Sequence, residues 1–306
     1  YTEAEALASA AWAFTQPRRD PASKSGGNGY HPAELASDPP PPANFDGVPD
    51  VSDAPKSENQ RKNPLGYEYV DFLEACGYTF SLCALDDSLW VNGSERMSDP
   101  LEAEIRTKLR DAGFGRVNVA ADAYLAHARN NTFHPIKDYL NGLQWDGADH
   151  IAQLATWISD RHGNTELVLR KWLIGAVARP MTGGKQNRVM VLEGKQGCGK
   201  SYFARWLASP LEAYFSEAMP NPDDKDSRLA LATTWLWELK ELGAITRRSD
   251  RESLKAWLTL EGVSERPAYG RHPIHKPAIT SFIATVNNEG GFFNDPTGSR
   301  RYMTLA

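Results

Sequence analysis

The stretch Gly194-Lys195-Gln196-Gly197-Cys198-Gly199-Lys200-Ser201 matches the pattern G-x-x-x-x-G-K-[ST], and it determines the fold class that we expect for this chain. An apolar β-rich run from Arg188 to Glu193 precedes it, and a helical run from Lys200 to Ala208 follows it. Glycines let such a loop turn its backbone amides inward around phosphate oxygens, and the helix start adds a positive dipole at the same place. The sequence therefore predicts a nucleotide-phosphate loop between a strand and a helix.

The chemistry of such a loop assigns a role to each polar position. Gly194 and the residues from Gln196 to Ser201 are expected to contact ATP, with Lys200 reaching the β- and γ-phosphates and the Ser201 hydroxyl binding Mg²⁺. A neighbouring strand should supply an acid, and Glu238 ends the apolar run Trp235 to Glu238. We expect Glu238 to bind Mg²⁺ and Glu241 to polarise the attacking water, or the reverse. Glu241 also fits a solvated acid in the first turn of a helix.

Further candidates follow along the chain. Asn287 comes at the end of an apolar strand, where its amide can bind the γ-phosphate or the lytic water, although turn asparagines are common there. Arg300 and Arg301 can stabilise transition-state charge, in the same subunit or across a subunit boundary. On their own, paired arginines are more often surface charge.

A basic segment lies between the acid and the amide. Residues 265–276 read as a hairpin around Gly270, and its candidate DNA-binding residues are Arg266, Tyr269, Arg271 and Lys276. Cations contact phosphates and an aromatic ring can stack on a base. A solvated basic loop explains the same residues equally well.

We expect three regions. Residues 1–63 contain a long stretch rich in Pro, Gly and Ser, which predicts a disordered linker after the end of an upstream domain. Residues 64–150 mix helical and strand patterns and predict a small α+β accessory domain. Residues 151–306 alternate strands and helices, which predicts a P-loop NTPase domain whose central, mostly parallel sheet is flanked by helices.

Composition narrows the class of protein. The chain has 306 residues, of which 41% are hydrophobic, and no run approaches the roughly 18 apolar residues that a membrane span needs. The three cysteines, Cys76, Cys83 and Cys198, show no zinc or redox spacing, which fits a reducing, cytoplasmic location. Residues 180–306 carry 17 Lys/Arg against 14 Asp/Glu, a small basic excess that tolerates an anionic partner without demanding one.

Taken as an ordered set, these motifs resemble the virulence-associated protein E family of P-loop ATPases from phages and mobile elements, related to superfamily 3 (AAA+-like) helicases. The resemblance covers about residues 64 to 306. Its signatures are Phe133-His134-Pro135-Ile136, Trp145-Asp146-Gly147, the 194–201 loop, Trp237-Glu238-Leu239-Lys240-Glu241-Leu242, Leu254-Lys255-Ala256, Arg266-Pro267-Ala268-Tyr269-Gly270-Arg271, Thr285-Val286-Asn287 and Thr297-Gly298-Ser299-Arg300-Arg301.

The resemblance implies that Glu238 is the Walker B acid, Asn287 the sensor, and one of Arg300 and Arg301 the arginine finger. It implies that residues 265–276 are a pore-lining hairpin that contacts single-stranded DNA. It further implies a homo-oligomeric ring, usually hexameric, an upstream primase domain, and a C-terminal lid that lies beyond Ala306. The adjacent acid pair common in superfamily 3 is replaced here by Glu238 and Glu241.

Three functions fit this pattern. The first is an ATP-dependent helicase or primase-helicase that moves along single-stranded DNA. The second is a small-molecule P-loop kinase, which would phosphorylate a nucleoside or metabolite. The third is a non-catalytic replication initiator that binds ATP and DNA but turns over negligible ATP.

Overall fold

The structure, a computed structural model, describes residues 63–240, 248–266, 273–287 and 299–306. The described residues fall into two compact units, one ending at Pro135 and the other running from Ile136 to Ala306. The expectations for residues 1–62 lie outside the described residues. Within the described ranges, no helix is both long enough and apolar enough to cross a membrane.

Among its described residues, the first unit contains a four-stranded sheet, three α-helices and a short 3₁₀ helix, Val117–Val119. Its elements are α1 (Gly66–Ala75), β1 (Phe80–Cys83), β2 (Leu89–Val91), β3 (Glu95–Arg96), α2 (Asp99–Asp111), α3 (Ala120–Ala128) and β4 (Thr132–Phe133). The strand order is β3-β2-β1-β4, with β4 parallel to β1 and the other pairs antiparallel. The four-residue spacing of Leu101, Ile105 and Leu109 places all three on one buried face of α2, as the sequence predicts.

The second unit contains the remaining elements. They are α4 (Pro135–Gly142), α5 (His150–Ala155), α6 (Thr165–Thr182), β5 (Val189–Glu193), α7 (Lys200–Ala208), β6 (Phe215–Ser216), α8 (Lys225–Thr233), β7 (Leu236–Leu239), α9 (Arg248–Leu258), β8 (Gly262–Glu265), β9 (Ile274–Pro277), β10 (Ser281–Val286) and β11 (Tyr302–Leu305). The structure divides after Pro135, whereas the sequence analysis places the boundary after residue 150.

The core of the second unit is a five-stranded sheet in the order β11-β5-β10-β7-β6. Every neighbouring pair in this sheet is parallel, so the carboxyl ends of all five strands meet at one edge. All six residues of β10 are buried, as expected for a central parallel strand that is covered on both faces. The expected α/β architecture, a parallel sheet flanked by helices, is therefore confirmed.

Two predicted elements differ in extent or lie only partly within the described chain. The amphipathic pattern from Ile151 to Arg161 predicts a helix over that range, but the helix ends at Ala155. Asp160 accepts hydrogen bonds from the backbone amides of Asn164 and Ala306, which hold the following segment in a turn. The strands of the predicted hairpin are observed, since β8 and β9 pair antiparallel. Residues 267–272 lie outside the described residues.

Helix α6 fastens the sheet to the rest of the unit. Its Trp172 indole donates to the Phe282 carbonyl of β10 at 3.1 Å. The buried Arg179 donates through Nε to the Ala278 carbonyl at 2.8 Å and through Nη2 to the Leu260 carbonyl at 2.8 Å. Burial lowers the pKa of Arg179 to about 10, so the guanidinium remains charged at neutral pH. The start of β10 is thereby held by charge-assisted bonds to backbone.

Helix α6 approaches the segment before β5 closely at Gly175. A methyl group there would lie 2.1 Å from Oδ1 of Asn187, the buried residue just before β5. Asn187 itself is fixed by donating to the Trp172 carbonyl at 3.0 Å and to the Ser281 hydroxyl at 3.1 Å. The helix can approach the sheet this closely only because position 175 lacks a side chain.

Replacing Gly175 with alanine should therefore destabilise the second unit. The new methyl group overlaps the Asn187 amide, and overpacking of this kind typically lowers the free energy of unfolding by about 1–3 kcal/mol. Urea unfolding followed by tryptophan fluorescence measures the loss.

The Asn187→Ala background is the matched control, because it removes the overlapping amide. In that background Gly175→Ala should be neutral or should stabilise by up to about 1 kcal/mol, since alanine is the better helix former. An equal loss in both backgrounds would contradict the packing assigned to this contact.

Candidate functional site

The 194–201 loop joins the end of β5 to the start of α7. Gly197 and Gly199 have φ values of +80° and +94°, a left-handed conformation in which side chains are strained. The Gly194 amide donates to the Val286 carbonyl at 3.2 Å, which ties the loop to the end of β10. A methyl group at Gly194 would lie 3.0 Å from Sγ of Cys198, so glycine there permits the loop to close on itself.

The Lys200 ammonium lies inside this loop. It donates to the Gly194 carbonyl at 2.8 Å and to the Lys195 carbonyl at 2.9 Å. It also donates to Oδ1 of Asn287 at 3.3 Å, across 87 positions of sequence. The structure therefore brings together the loop lysine and the amide that the sequence analysis places at a strand end.

The Ser201 hydroxyl meets the Glu238 carboxylate beside the loop. Ser201 donates to Oε1 of Glu238 at 2.5 Å, and Thr285 donates to the same oxygen at 3.2 Å. Glu238 is 1% exposed, and its Oε2 is a buried oxygen without a hydrogen-bond partner among the described residues. Hydroxyl and carboxylate oxygens are the ligands that Mg²⁺ prefers, so this pair fits the predicted metal position.

A cleft of about 340 Å³ opens at the carboxyl edge of the sheet around these groups. The residues that line it are Gln196, Gly197, Gly199, Lys200, Ser201, Tyr202, Lys240, Thr285 and Asn287. No group of three His, Cys, Asp or Glu side chains with metal-site geometry occurs within the described ranges. Mg²⁺ held by one or two protein groups together with substrate phosphates needs no such cluster.

Sequence reasoning assigned no role to three of these lining residues: Tyr202, Lys240 and Thr285. Side chains alternate along a strand, so Thr285 lies on the same side of its strand as Asn287. This two-residue spacing could have identified Thr285 from the sequence. Lys240 directly follows β7 and forms an ion pair with Glu217 at 2.8 Å. No local pattern marks Lys240 or Tyr202, because the cleft forms only when distant segments meet.

Of the two remaining predicted residues of this site, the structure describes Cys198. Cys198 is exposed, and its Sγ lies 3.8 Å from the Lys200 ammonium. Glu241 lies outside the described residues.

The predicted arginines lie at the other edge of the sheet. Arg300 is exposed and Arg301 half-buried, in a short turn of 3₁₀ helix, Ser299–Arg301, that leads directly into the first residue of β11. Because β11 runs parallel to β5, this turn is at the amino edge, whereas the cleft is at the carboxyl edge. The structure does not bring these arginines to the cleft of the same chain.

The β8–β9 hairpin carries two of the four predicted DNA-binding residues among its described positions. Arg266 follows β8 and is exposed, whereas the half-buried Lys276 is paired with Val263 and shares its core-facing side. Tyr269 and Arg271 lie outside the described residues. Glu265 accepts from Nε of Arg228 at 2.6 Å, which ties the hairpin to α8.

Replacing Glu238 with glutamine should stabilise the protein in the absence of nucleotide and metal. The substitution removes a buried negative charge with one unbonded oxygen, and relieving such a group typically contributes about 1–3 kcal/mol. Urea unfolding measures the difference.

Glu193→Gln is the control, since Glu193 is the last residue of β5 at this edge but its side chain is 23% exposed and paired with Arg161. Its stability should change by no more than about 1 kcal/mol. A less stable Glu238→Gln protein would indicate that both carboxylate oxygens are already well satisfied.

Comparison with known proteins adds a family and two similar structures. The family model described as the virulence-associated protein E-like domain matches residues 140–306. No curated protein matches the chain. Two solved structures, an A-form apo structure of the NrS-1 C-terminal region and an apo structure of the same region, are 14% and 12% identical with TM-scores of 0.49 and 0.47. Each match covers 78% of this chain but only 60% and 61% of the other, so the chain spans about three fifths of their length.

Proposed function

This chain belongs to the virulence-associated protein E-like family, and from that premise we propose that it is the ATPase of a DNA helicase or primase-helicase from a phage or mobile element. ATP and Mg²⁺ are the cofactors, and single-stranded DNA is the partner along which hydrolysis drives movement. The observation that carries the proposal is the meeting of Lys200, Ser201, Glu238 and Asn287 at one edge of the parallel sheet. Ligands of open parallel sheets bind at this edge.

Each of these side chains has a task in phosphoryl transfer. The loop amides and Lys200 bind the phosphates. Ser201 Oγ and Glu238 would hold Mg²⁺, which would supply positive charge beside the phosphate oxygens. The unbonded Oε2 of Glu238 supports this assignment, because it can receive a ligand without breaking a bond. Asn287 positions the γ-phosphate or the attacking water, and Glu241 is assigned to polarising that water.

The position of Arg300 and Arg301 supports a ring of subunits. An arginine that stabilises transition-state charge must reach the γ-phosphate, and these two lie at the sheet edge opposite the cleft of their own chain. They can serve as fingers only for the cleft of a neighbouring copy. A closed homo-oligomer, such as the hexamer common in related helicases, supplies each cleft with a neighbour.

The β8–β9 hairpin is the element proposed to contact DNA. It is joined to the sheet through Pro277 and β10, and its exposed Arg266 offers a phosphate contact that carries no sequence specificity. Lys276, Tyr269 and Arg271 complete the proposed set. Lys276 is a weaker candidate than Arg266, because its side chain shares the core-facing side of Val263.

Replacing Lys200 with alanine should reduce ATP hydrolysis about 10²–10³-fold, because the main cation on the transferred phosphate is lost. Glu238→Gln should lose activity while retaining nucleotide binding. Phosphate release measured with and without single-stranded DNA tests both variants.

Lys185→Met is the control, because this exposed lysine lies just before β5 at the amino edge. Hydrolysis that survives Lys200→Ala would rule out the assigned site. Transfer of phosphate to a nucleoside or metabolite instead of water would favour the kinase. Binding without turnover, even with DNA, would favour the initiator.

Replacing Arg266 with alanine should weaken binding of single-stranded DNA. It should also lower the slope of log affinity against log salt by about 0.7, the change expected for one lost phosphate contact. Fluorescence anisotropy of a labelled oligonucleotide at several salt concentrations measures both effects. Lys185→Ala serves as the charge-matched control. An unchanged salt dependence for Arg266→Ala would rule out the proposed contact between the hairpin and a DNA phosphate.

A further inference from the structure

A second cation lines the cleft opposite the loop. Lys240 directly follows β7, and β10 separates that strand from β5 in the sheet order. Its side chain lines the same cleft as Lys200 and Asn287. Triphosphates concentrate negative charge, so a lysine at this place is suited to bind one of their oxygens.

In this structure Lys240 is engaged with Glu217 instead. Its ammonium lies 2.8 Å from Oε2 of Glu217, with the two side chains 46% and 40% exposed. An exposed pair of this kind typically contributes about 0–1 kcal/mol, far less than the attraction of a cation for a metal-bound triphosphate. Lys240 can therefore leave Glu217 at little energetic cost when a stronger anion is present.

Glu217 also pairs with a second cation, so its carboxylate stays paired when Lys240 leaves. Arg205, on helix α7, donates to Oε1 of Glu217 at 2.7 Å and to Glu212 at 3.1 Å. The hydrogen bonds from Lys240 and Arg205 together hold the pKa of Glu217 below its usual range. If Lys240 moves away, Arg205 still compensates the Glu217 carboxylate.

We propose that Lys240 is a triphosphate-binding residue, held by Glu217 in the nucleotide-free protein and transferred to the terminal phosphate when ATP enters the cleft. This inference rests on the proposed ATPase function and adds a residue to the same site. Because the contact is made with the terminal phosphate, Lys240 discriminates ATP from ADP. Glu217 competes with the nucleotide for the Lys240 ammonium. This competition lowers the affinity of the protein for the nucleotide.

The competition predicts substitutions with opposite effects. Lys240→Met should weaken binding of a non-hydrolysable ATP analogue with Mg²⁺ about tenfold and leave ADP binding nearly unchanged, as expected for one lost charge-assisted bond. Glu217→Gln should tighten binding of the analogue about threefold, because it frees Lys240 from an exposed ion pair. Isothermal titration calorimetry with the full chain measures all four affinities.

The double variant separates direct competition from a general electrostatic effect. If Glu217 acts through Lys240, then adding Glu217→Gln to Lys240→Met produces no further tightening. If Glu217 merely repels the nucleotide through space, the tightening persists in the Lys240→Met background and the proposal is overturned. Glu212→Gln is the matched control, because Glu212 pairs with Arg205 but not with Lys240, and it should leave the affinity unchanged.

Lys185→Met controls for a lost lysine charge far from the cleft. Equal weakening of ATP-analogue and ADP binding by Lys240→Met would also overturn the proposal. Failure of the nucleotide site itself has a different signature, since the unmodified chain would then bind neither nucleotide and Lys200→Ala would change nothing. Binding of the ATP analogue without hydrolysis of ATP would contradict the proposed ATPase function and leave the test of Lys240 intact.

Discussion

The insertion of β10 between β5 and β7 is the constraint on which the candidate site depends. Parallel pairing on both sides brings three strand ends to one edge. The register aligns Ile283 with Glu238, so Thr285, two residues further along the same side of β10, can donate to the Glu238 carboxylate. The pairing of β10 with β5 aligns Val286 with Glu193, so Asn287 comes close to the Lys200 ammonium. A different strand order would separate these groups by at least one strand spacing of about 4.8 Å.

Burial of the Glu238 carboxylate opposes folding of the chain. Two hydroxyls donate to one carboxylate oxygen and none of the described residues donates to the other. An apolar side chain at this position would fold more easily, because a buried charge without full hydrogen bonding opposes folding. A ligand such as the proposed Mg²⁺ would offset this cost by binding to the unpartnered oxygen.

The loop and its lysine were predictable because their signal is local. Eight consecutive residues between a β-rich run and a helical run define the segment, and the structure has β5 and α7 on either side of it. Glu238 and Asn287 were predictable as the polar residues that close apolar runs. The strand order was not predictable from the sequence. Strands that pair in the sheet are separated by up to about a hundred positions, and single-sequence patterns carry no information on such pairing. The place of Lys240 in the cleft and the inward-facing side of Lys276 depend on that pairing, whereas the two-residue spacing of Thr285 and Asn287 is a local signal.

One continuous segment connects the proposed DNA hairpin to the cleft. Residues 274–287 include β9, a short turn and β10, which ends beside Asn287. The turn is fixed at several points, since the Thr280 hydroxyl donates to the Leu231 and Thr234 carbonyls at 3.0 and 2.7 Å and Arg179 donates to Ala278. Buried bonds of this kind resist bending, so the segment acts as a rigid element. A structural change at the cleft can therefore move the hairpin only if β10 shifts together with the elements packed against it. Packed elements transmit movement between distant sites in this way.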